Sequence, residues 1–499
     1  MPVNGENILP GSHAAAARLG DVLVLGLGKS GCAAADYLLD RLGGRVSSVA
    51  IAAGPDNDYS RERGAAFEAR GARVLFDHYR IEGRYDLCIA SPGISQFEDF
   101  YRSAQAACGE IISEVEFAWR ESALADRWVG ITGTNGKTTT TSLAAHLLRT
   151  AGVEALPVGN IGDTCLDAVA QNAADGAQPA KPRVLVAEVS SFQLASTRLF
   201  APQVAVLLNI TPDHVSWHKT FEAYAAAKRK VYANLASVPG SLAVFDAADD
   251  QARACVRQLK AQGAERGFDY LPIGAAAGLS ANMHEVCGSE NAAYLREDGM
   301  LCVQHGEEVT PLVPADDLQI KGLHNVANAL AASAVALALG TPVEKVREGL
   351  RSFAPLEHRI EPCGFIGGVE CYNDSKATNV DATLKALAAF GDKKPIALLG
   401  GFDKGTDLTE LVQTAQRHCK AAAPRFEEAF EGACIPVIAA QGMESALDAA
   451  LSAAEDGDIV LLSPACASFD EYHGFEARGR AFKDMVAQRA AARGHAHGE

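Results

Sequence analysis

From Trp128 to Thr139 the chain reads Trp-Val-Gly-Ile-Thr-Gly-Thr-Asn-Gly-Lys-Thr-Thr, an apolar run, a glycine-rich turn, then a lysine and hydroxyl residues. Glycines let successive backbone amides converge on an anion, and a helix opening after the turn adds positive potential. Lys137 is then placed for the β- and γ-phosphates of a nucleoside triphosphate, and the Thr138 hydroxyl for magnesium. Gly133, Thr134, Asn135, Gly136 and Thr139 complete the cradle. Only Thr134 and Asn135 separate Gly133 from Gly136, so this is a shorter form of the usual phosphate loop. A plain strand–helix turn is the bland alternative, and the flanking pattern speaks against it. ATP use follows.

Three more residues could share that chemistry. Glu188 comes directly after the run 184–187, where a magnesium-binding carboxylate sits in an ATPase core. Asp213 and His214 follow a strand pattern ending Leu208-Asn209-Ile210, and Lys228 follows the small residues Ala225, Ala226 and Ala227. Singly, a histidine is more often a satisfied core residue and a helix lysine a solvated one. Nearness to a phosphate loop makes all of them candidates without naming a reaction.

The elements that must position these residues are legible as short apolar runs, each followed by small residues and an amphipathic stretch. They fall at 22–25, 87–90, 128–131, 184–187, 204–208, 242–245, 396–399 and 459–462. Strands alternating with helices predict an α/β fold with mostly parallel sheets, whose ligands bind beyond the carboxyl ends of the strands. A length of 499 residues suggests three domains. Breaks near 122 and 355 divide the chain into 1–122, 123–355 and 356–499. Segments 263–300 and 420–435 read as surface hairpins or insertions.

A net charge of -17 disfavours nucleic acid and anionic membranes as partners. The 12 cysteines include no CxxC pair, which suits a reducing compartment, and no apolar stretch is long enough to span a membrane. A cytoplasmic enzyme without membrane insertion is expected.

Several motifs together resemble the Mur ligase family. They are Gly133–Thr139, Glu188-Val189-Ser190-Ser191-Phe192-Gln193-Leu194, Asn209-Ile210-Thr211-Pro212-Asp213-His214, Ala227-Lys228, Leu323-His324-Asn325 with Asn328, and His358-Arg359. Asn373-Asp374-Ser375-Lys376-Ala377-Thr378-Asn379 and Ser463-Pro464-Ala465-Cys466-Ala467-Ser468-Phe469-Asp470 are similar to hallmarks of the D-glutamate-adding branch. The resemblance runs from about residue 20 to about residue 485. It implies a Rossmann-like UDP-binding domain, a central phosphate-loop ATPase and a Rossmann-like C-terminal domain closing over the substrates. The implied activity is ATP-dependent ligation of D-glutamate to UDP-N-acetylmuramoyl-L-alanine through an acyl phosphate, by a monomer acting on small molecules.

The resemblance also implies roles. Lys137, Glu188, His214 and Lys228 would be catalytic. Two magnesium ions would be held by Thr138, Glu188, His214 and Lys228, the lysine as a carbamate formed with carbon dioxide. Asn325, Asn328, Arg359 and Asp374 would join the phosphate loop in binding ATP. D-Glutamate would meet Lys376, Thr378, Lys404, Ser468, Phe469 and Phe475. Lys29 and Ser30, in the turn Gly26-Leu27-Gly28-Lys29-Ser30-Gly31, would meet the UDP substrate with Ser91, Pro92, Gly93, Asn160, Gln193 and His214. The family's acidic-hydroxyl-arginine set for uracil and ribose is missing after the second strand, where Ala52-Ala53-Gly54-Pro55-Asp56 stands, leaving Asp56 or Asn57 as substitutes. A ligase for another amino acid and an inactive nucleotide-binding relative are the alternatives.

Overall fold

All eight apolar runs singled out above fall on strands, with only Leu208 lying just past the end of its strand. The computed structural model describes residues 8–77, 80–173, 182–275, 289, 291–402, 407–424, 427–438 and 440–496. They carry three mostly parallel sheets. The chain divides into two compact units, Met1–Ala315 with Ala327–Leu350, and Asp316–Val326 with Arg351–Glu499.

The first unit holds two sheets. Strands β1 (Gly20–Leu25), β2 (Val46–Gly54), β3 (Arg73–Phe76), β4 (Tyr85–Ala90) and β5 (Cys108–Ser113) form a Rossmann-like parallel sheet in the order β3-β2-β1-β4-β5. The order reverses at β1, which opens a crevice beyond the carboxyl ends of β1 and β4. The second sheet contains β6 (Arg127–Thr132), β7 (Ala155–Gly159), β8 (Val184–Glu188), β9 (Val204–Leu207), β10 (Leu242–Asp246), β11 (Asp269–Gly274), β12 (Asn291–Leu295), β13 (Met300–His305) and β14 (Glu308–Pro314). Its order is β14-β13-β12-β11-β10-β9-β6-β8-β7, parallel from β7 to β12 and antiparallel at β13 and β14.

One helix, Glu114–Glu121, joins these two sheets through buried charge. Glu116 accepts from the amides of Arg198 and Leu199, and Arg120 pairs with Glu110 and Glu116. Trp119 and Trp128 both meet the Phe200 ring edge-on, at 6.2 and 5.9 Å. Glu116 is thus satisfied by specific amides and a guanidinium, without which burial would be costly, whereas one oxygen of the buried Glu114 has no partner.

In the second unit β15 (Glu361–Ile366), β16 (Val369–Asn373), β17 (Ile396–Leu399), β18 (Ala421–Pro424) and β19 (Ile459–Leu462) form a Rossmann-like sheet ordered β15-β16-β19-β17-β18, antiparallel only at β15.

Two sequence expectations need correction. Within 263–300, β11 is a buried parallel strand next to β10, and β12 pairs parallel with β11 and antiparallel with β13; the expected hairpin turns at 296–299 but belongs to the central sheet, and β13–β14 adds a second one. Residues 276–288 and 290 lie outside the described residues. Within 420–435, β18 is a sheet strand, not a surface insertion. Its Ala421-Ala422-Ala423 core carries no β-branched signal, so tertiary pairing decides a conformation that local propensity does not.

Candidate active site

The phosphate loop sits between β6 and the helix Lys137–Thr150. Gly136 has φ +85°, and a Cβ there would stand 2.5 Å from Asn328 Oδ1. Neighbouring elements fix the loop by hydrogen bonds. Thr134 N donates to Asn209 O at 2.8 Å, Asn135 N to Asn209 Oδ1 at 2.8 Å, and Thr211 N to Thr134 Oγ1 at 3.0 Å. Tyr224 Oη and Thr134 Oγ1 lie 2.8 Å apart. Asn328 Oδ1 accepts from Thr140 Oγ1 at 3.1 Å, which sets this residue against the first turn of the loop's helix. Thr138 is half-buried in that turn.

Strands β6 and β8 are adjacent, with Ile131 opposite Glu188, so the carboxylate lies beside the loop. Glu188 is 2% exposed. Its Oε1 accepts from Asn160 Nδ2 at 2.8 Å, while its Oε2 is buried with no hydrogen-bond partner. A carboxylate oxygen left so is poised to ligate a cation.

Lys137 Nζ donates to the carbonyls of Gly133 and Thr134, both at 2.8 Å. Lys228 Nζ, fully buried, donates to the same Gly133 carbonyl at 2.7 Å and lies 4.8 Å from the Tyr224 ring centroid. Burial and the charge of Lys137 push its pKa well down, against the opposing pull of Asp213 and Glu188. Both effects favour a neutral amine.

His214 takes a left-handed conformation, φ 53°, before the short helix Val215–His218. Its imidazole is half-exposed, packs against Phe192 with ring centroids 4.7 Å apart, and lies 3.5 Å from Asp213. His218, one turn on, is wholly buried with Nε2 3.0 Å from Ser191 Oγ and Nδ1 unpartnered. Burial and the nearby His214 and Lys228 bring its pKa down to about 4. Sequence reasoning passed over His218 and Tyr224. Tyr224 sits four residues before Lys228, on the same helix face, which was the available signal.

In the first sheet, Lys29 and Ser30 follow β1, and Ser91, Pro92 and Gly93 follow the adjacent β4. Gly31 is needed where it stands, since a Cβ would meet the Gly26 carbonyl at 2.0 Å. Lys29 Nζ reaches the Gly162 carbonyl and so adjoins the Asn160 loop. Gln193 is occupied locally: its Oε1 accepts from Ser190 N at 2.8 Å in a capping box.

In the second unit, Asp374 directly follows β16 and is buried, accepting from Ser463 Oγ at 2.8 Å and Ile360 N at 3.2 Å. Burial raises its pKa to about 7 despite those bonds and the nearby Arg359. Lys376 Nζ stands 3.6 Å from the Phe475 ring centroid. Ser468 is buried, Phe469 is 75% exposed, and Thr378 and Arg359 are half-buried. Asn325 donates to Lys321 O at 2.7 Å. Arg478, which sequence reasoning missed, donates to Ser375 Oγ and to the carbonyls of Ser375, Cys466 and Ala467, tying the 373–379 and 463–470 loops together. Lys404 lies outside the described residues.

Comparisons with known proteins agree with this layout. Residues 131–336 match the Mur ligase middle domain, and residues 358–466 match the Mur ligase glutamate ligase domain. The chain is 35% identical to the UDP-N-acetylmuramoylalanine–D-glutamate ligase of Koribacter versatilis (strain Ellin345), over 94% of this chain and 97% of that protein. It is 38% identical to the enzyme of the same name from Acidobacterium capsulatum, again over 94% and 97%. Among solved structures, a pseudomurein peptide ligase type C from Methanothermus fervidus shares the fold, with TM-score 0.53 and 18% identity over 94% of this chain and 99% of that one. Full-length identity of this order leaves one conclusion: the chain belongs to the Mur ligase family.

Proposed function

We propose that the protein joins D-glutamate to UDP-N-acetylmuramoyl-L-alanine at the expense of ATP, in the cytoplasm, as a step of peptidoglycan precursor synthesis. The names of relatives 35 and 38% identical over 94% of the chain support the substrate pair. The observation that carries the chemistry is the meeting of Lys137 and Lys228 on the Gly133 carbonyl, beside the unpartnered Glu188 oxygen.

A carboxylate resists attack by an amine because its oxygen is a poor leaving group. Phosphoryl transfer from ATP to the alanine carboxylate gives an acyl phosphate, and the neutral amine of D-glutamate then displaces phosphate. Lys137 holds the transferring phosphoryl group, and the loop amides orient it. Asn328, Asp374 and Arg359 bind the nucleotide with Asn325. Lys376, Thr378, Ser468, Phe469, Phe475 and Lys404 take up D-glutamate. Lys29, Ser30, Ser91, Pro92, Gly93, Asn160, Gln193 and His214 hold the UDP substrate.

Magnesium, when bound, offsets repulsion between the carboxylate and phosphate anions. The donors present suit it. Glu188 offers a free buried oxygen and Thr138 a hydroxyl, while no group of three His, Cys, Asp or Glu able to hold a metal occurs among the described residues. The remaining ligands are phosphate oxygens, His214 and a modified Lys228. Two ammonium groups on one carbonyl repel each other, and carbon dioxide adds only to neutral amine. Carbamylation relieves the repulsion and turns Lys228 into an anionic oxygen donor.

Phosphate release with UDP-N-acetylmuramoyl-L-alanine tests the reading. D-Glutamate should support turnover, and L-glutamate, D-alanine and diaminopimelate should not. Turnover with diaminopimelate instead would assign the chain to another ligase type.

A further inference from the structure

The segment that carries His214 has little of its own to hold it. The helix Val215–His218 is a single turn of four residues, too short to persist on its own hydrogen bonds. Non-glycine residues with positive φ flank it, His214 at 53° and Lys219 at 69°. Such conformations are strained and last only where their surroundings over-determine them. Something outside the turn must fix it.

From 214 to 219 only His218 is wholly buried. Its backbone N–H donates to the His214 carbonyl at 3.1 Å, and its Nε2 lies 3.0 Å from Ser191 Oγ. The imidazole and the Trp217 indole both stack on Phe192, with ring centroids 5.6 and 4.7 Å away. Ser191 and Phe192 open the helix Ser191–Ala195, in the segment that leaves β8 just after Glu188. Ser95 Oγ also donates to the Trp217 carbonyl, at 2.7 Å, but it comes from beyond β4 and not from the Glu188 segment. One buried imidazole thus fastens the chain after Glu188 to the chain after His214.

Resting on the ligase reading above, in which Glu188 and His214 serve the divalent cation, we propose that His218 is a positioning residue for that pair, its bond to Ser191 fixing where His214 stands relative to Glu188. A small divalent cation tolerates little error in the placement of its donors, so donors from separate strands must be set before the ion arrives. Groups that touch no metal but orient its ligands carry much of that burden. His218 acts through both of its ends, the backbone N–H closing the turn on His214 and the ring reaching Ser191. An apolar side chain at 218 would fill the same space and leave the turn free to shift along Phe192.

The test is Mn²⁺ binding to the full-length protein with ADP present, followed by electron paramagnetic resonance. The parent is compared with H218L, H218Q, S191A, the H218L/S191A double variant and S216A. Leucine removes both ring nitrogens, whereas glutamine carries a polar group to the reach of Nε2 and can renew the bond. S191A deletes the bond from the other side and leaves the ring packing in place, so it decides the matter should H218L not fold. H218L and S191A should each weaken Mn²⁺ binding about tenfold or more, and H218Q by less. The double variant should lose no more than either single one, because both remove the same bond. S216A, on the exposed side of the turn, should bind as the parent does. The Mg²⁺ concentration for half-maximal phosphate release should rise in step. Parental Mn²⁺ binding in S191A overturns the proposal, as does a lowered Tm in H218L with Mn²⁺ binding unmoved, or losses that add in the double variant. If Mn²⁺ binding depends on Ser191 and His218 but no amino acid is ligated, the ligase reading fails and this assignment stands. If ligation proceeds and these variants are silent, only this assignment fails.

Discussion

Lys137 and Lys228 approach the Gly133 carbonyl to 2.8 and 2.7 Å, and the second has no solvent with which to share its charge. Replacing Lys228 with alanine should reduce phosphate release to background, and formate or acetate should restore part of it by filling the vacated anion position. Undiminished release by K228A would remove the carbamate from the mechanism. The residues easiest to read from sequence were those in contiguous motifs, because a loop that binds phosphate needs its glycines, lysine and threonine side by side. Contacts assembled from distant segments, such as Ser191 with His218 or Arg478 with Cys466, leave no local trace. Asn57 caps the helix Asp58–Glu68 and Asp56 pairs with Arg61, contacts that residue types alone do not reveal.

At the scale of elements, strands rich in valine, leucine and isoleucine announced themselves, and those built from alanine, glycine or proline did not. β18 belongs to the second group, and β11 is interrupted by Pro272; both owe their conformation to the strands beside them. The turn between β6 and its helix shows how tightly an element can constrain one residue. Gly136→Ala places a side chain at φ +85° and 2.5 Å from Asn328 Oδ1. Strain of about 1–3 kcal/mol is expected for such a conformation, visible as a lower Tm. ATP turnover should fall far more than stability does, since the loop amides lose their aim. A G136A protein with parental turnover would show that the loop tolerates another path.

For the whole molecule, two buried carboxyls tie stability to pH. Burial lifts Glu114 to about 7, against the amide of Leu166 that donates to it, and lifts Asp374 to about 7. A raised carboxyl pKa means that folding favours the protonated form. The stability this contributes is complete below the unfolded carboxyl range and drains away as pH climbs toward 7. Glu114→Gln should therefore flatten the fall in unfolding free energy between pH 4.5 and 8, by up to about 3 kcal/mol. Urea titrations at the two ends of that range measure it, and an unchanged slope would place Glu114 outside the titrating set.

The helix Glu114–Glu121 has a consequence for how this chain can be divided. Residues 1–122 contain a complete five-stranded sheet and look like a cassette that could be cut out and moved. Cutting there would strip Glu116 of the Arg198 and Leu199 amides and Trp119 of Phe200, exposing what the rest of the unit covers. Expressed alone, the fragment should be insoluble or lack a cooperative melt, and trypsin should release no durable piece ending near 122. The first two sheets behave as one unit.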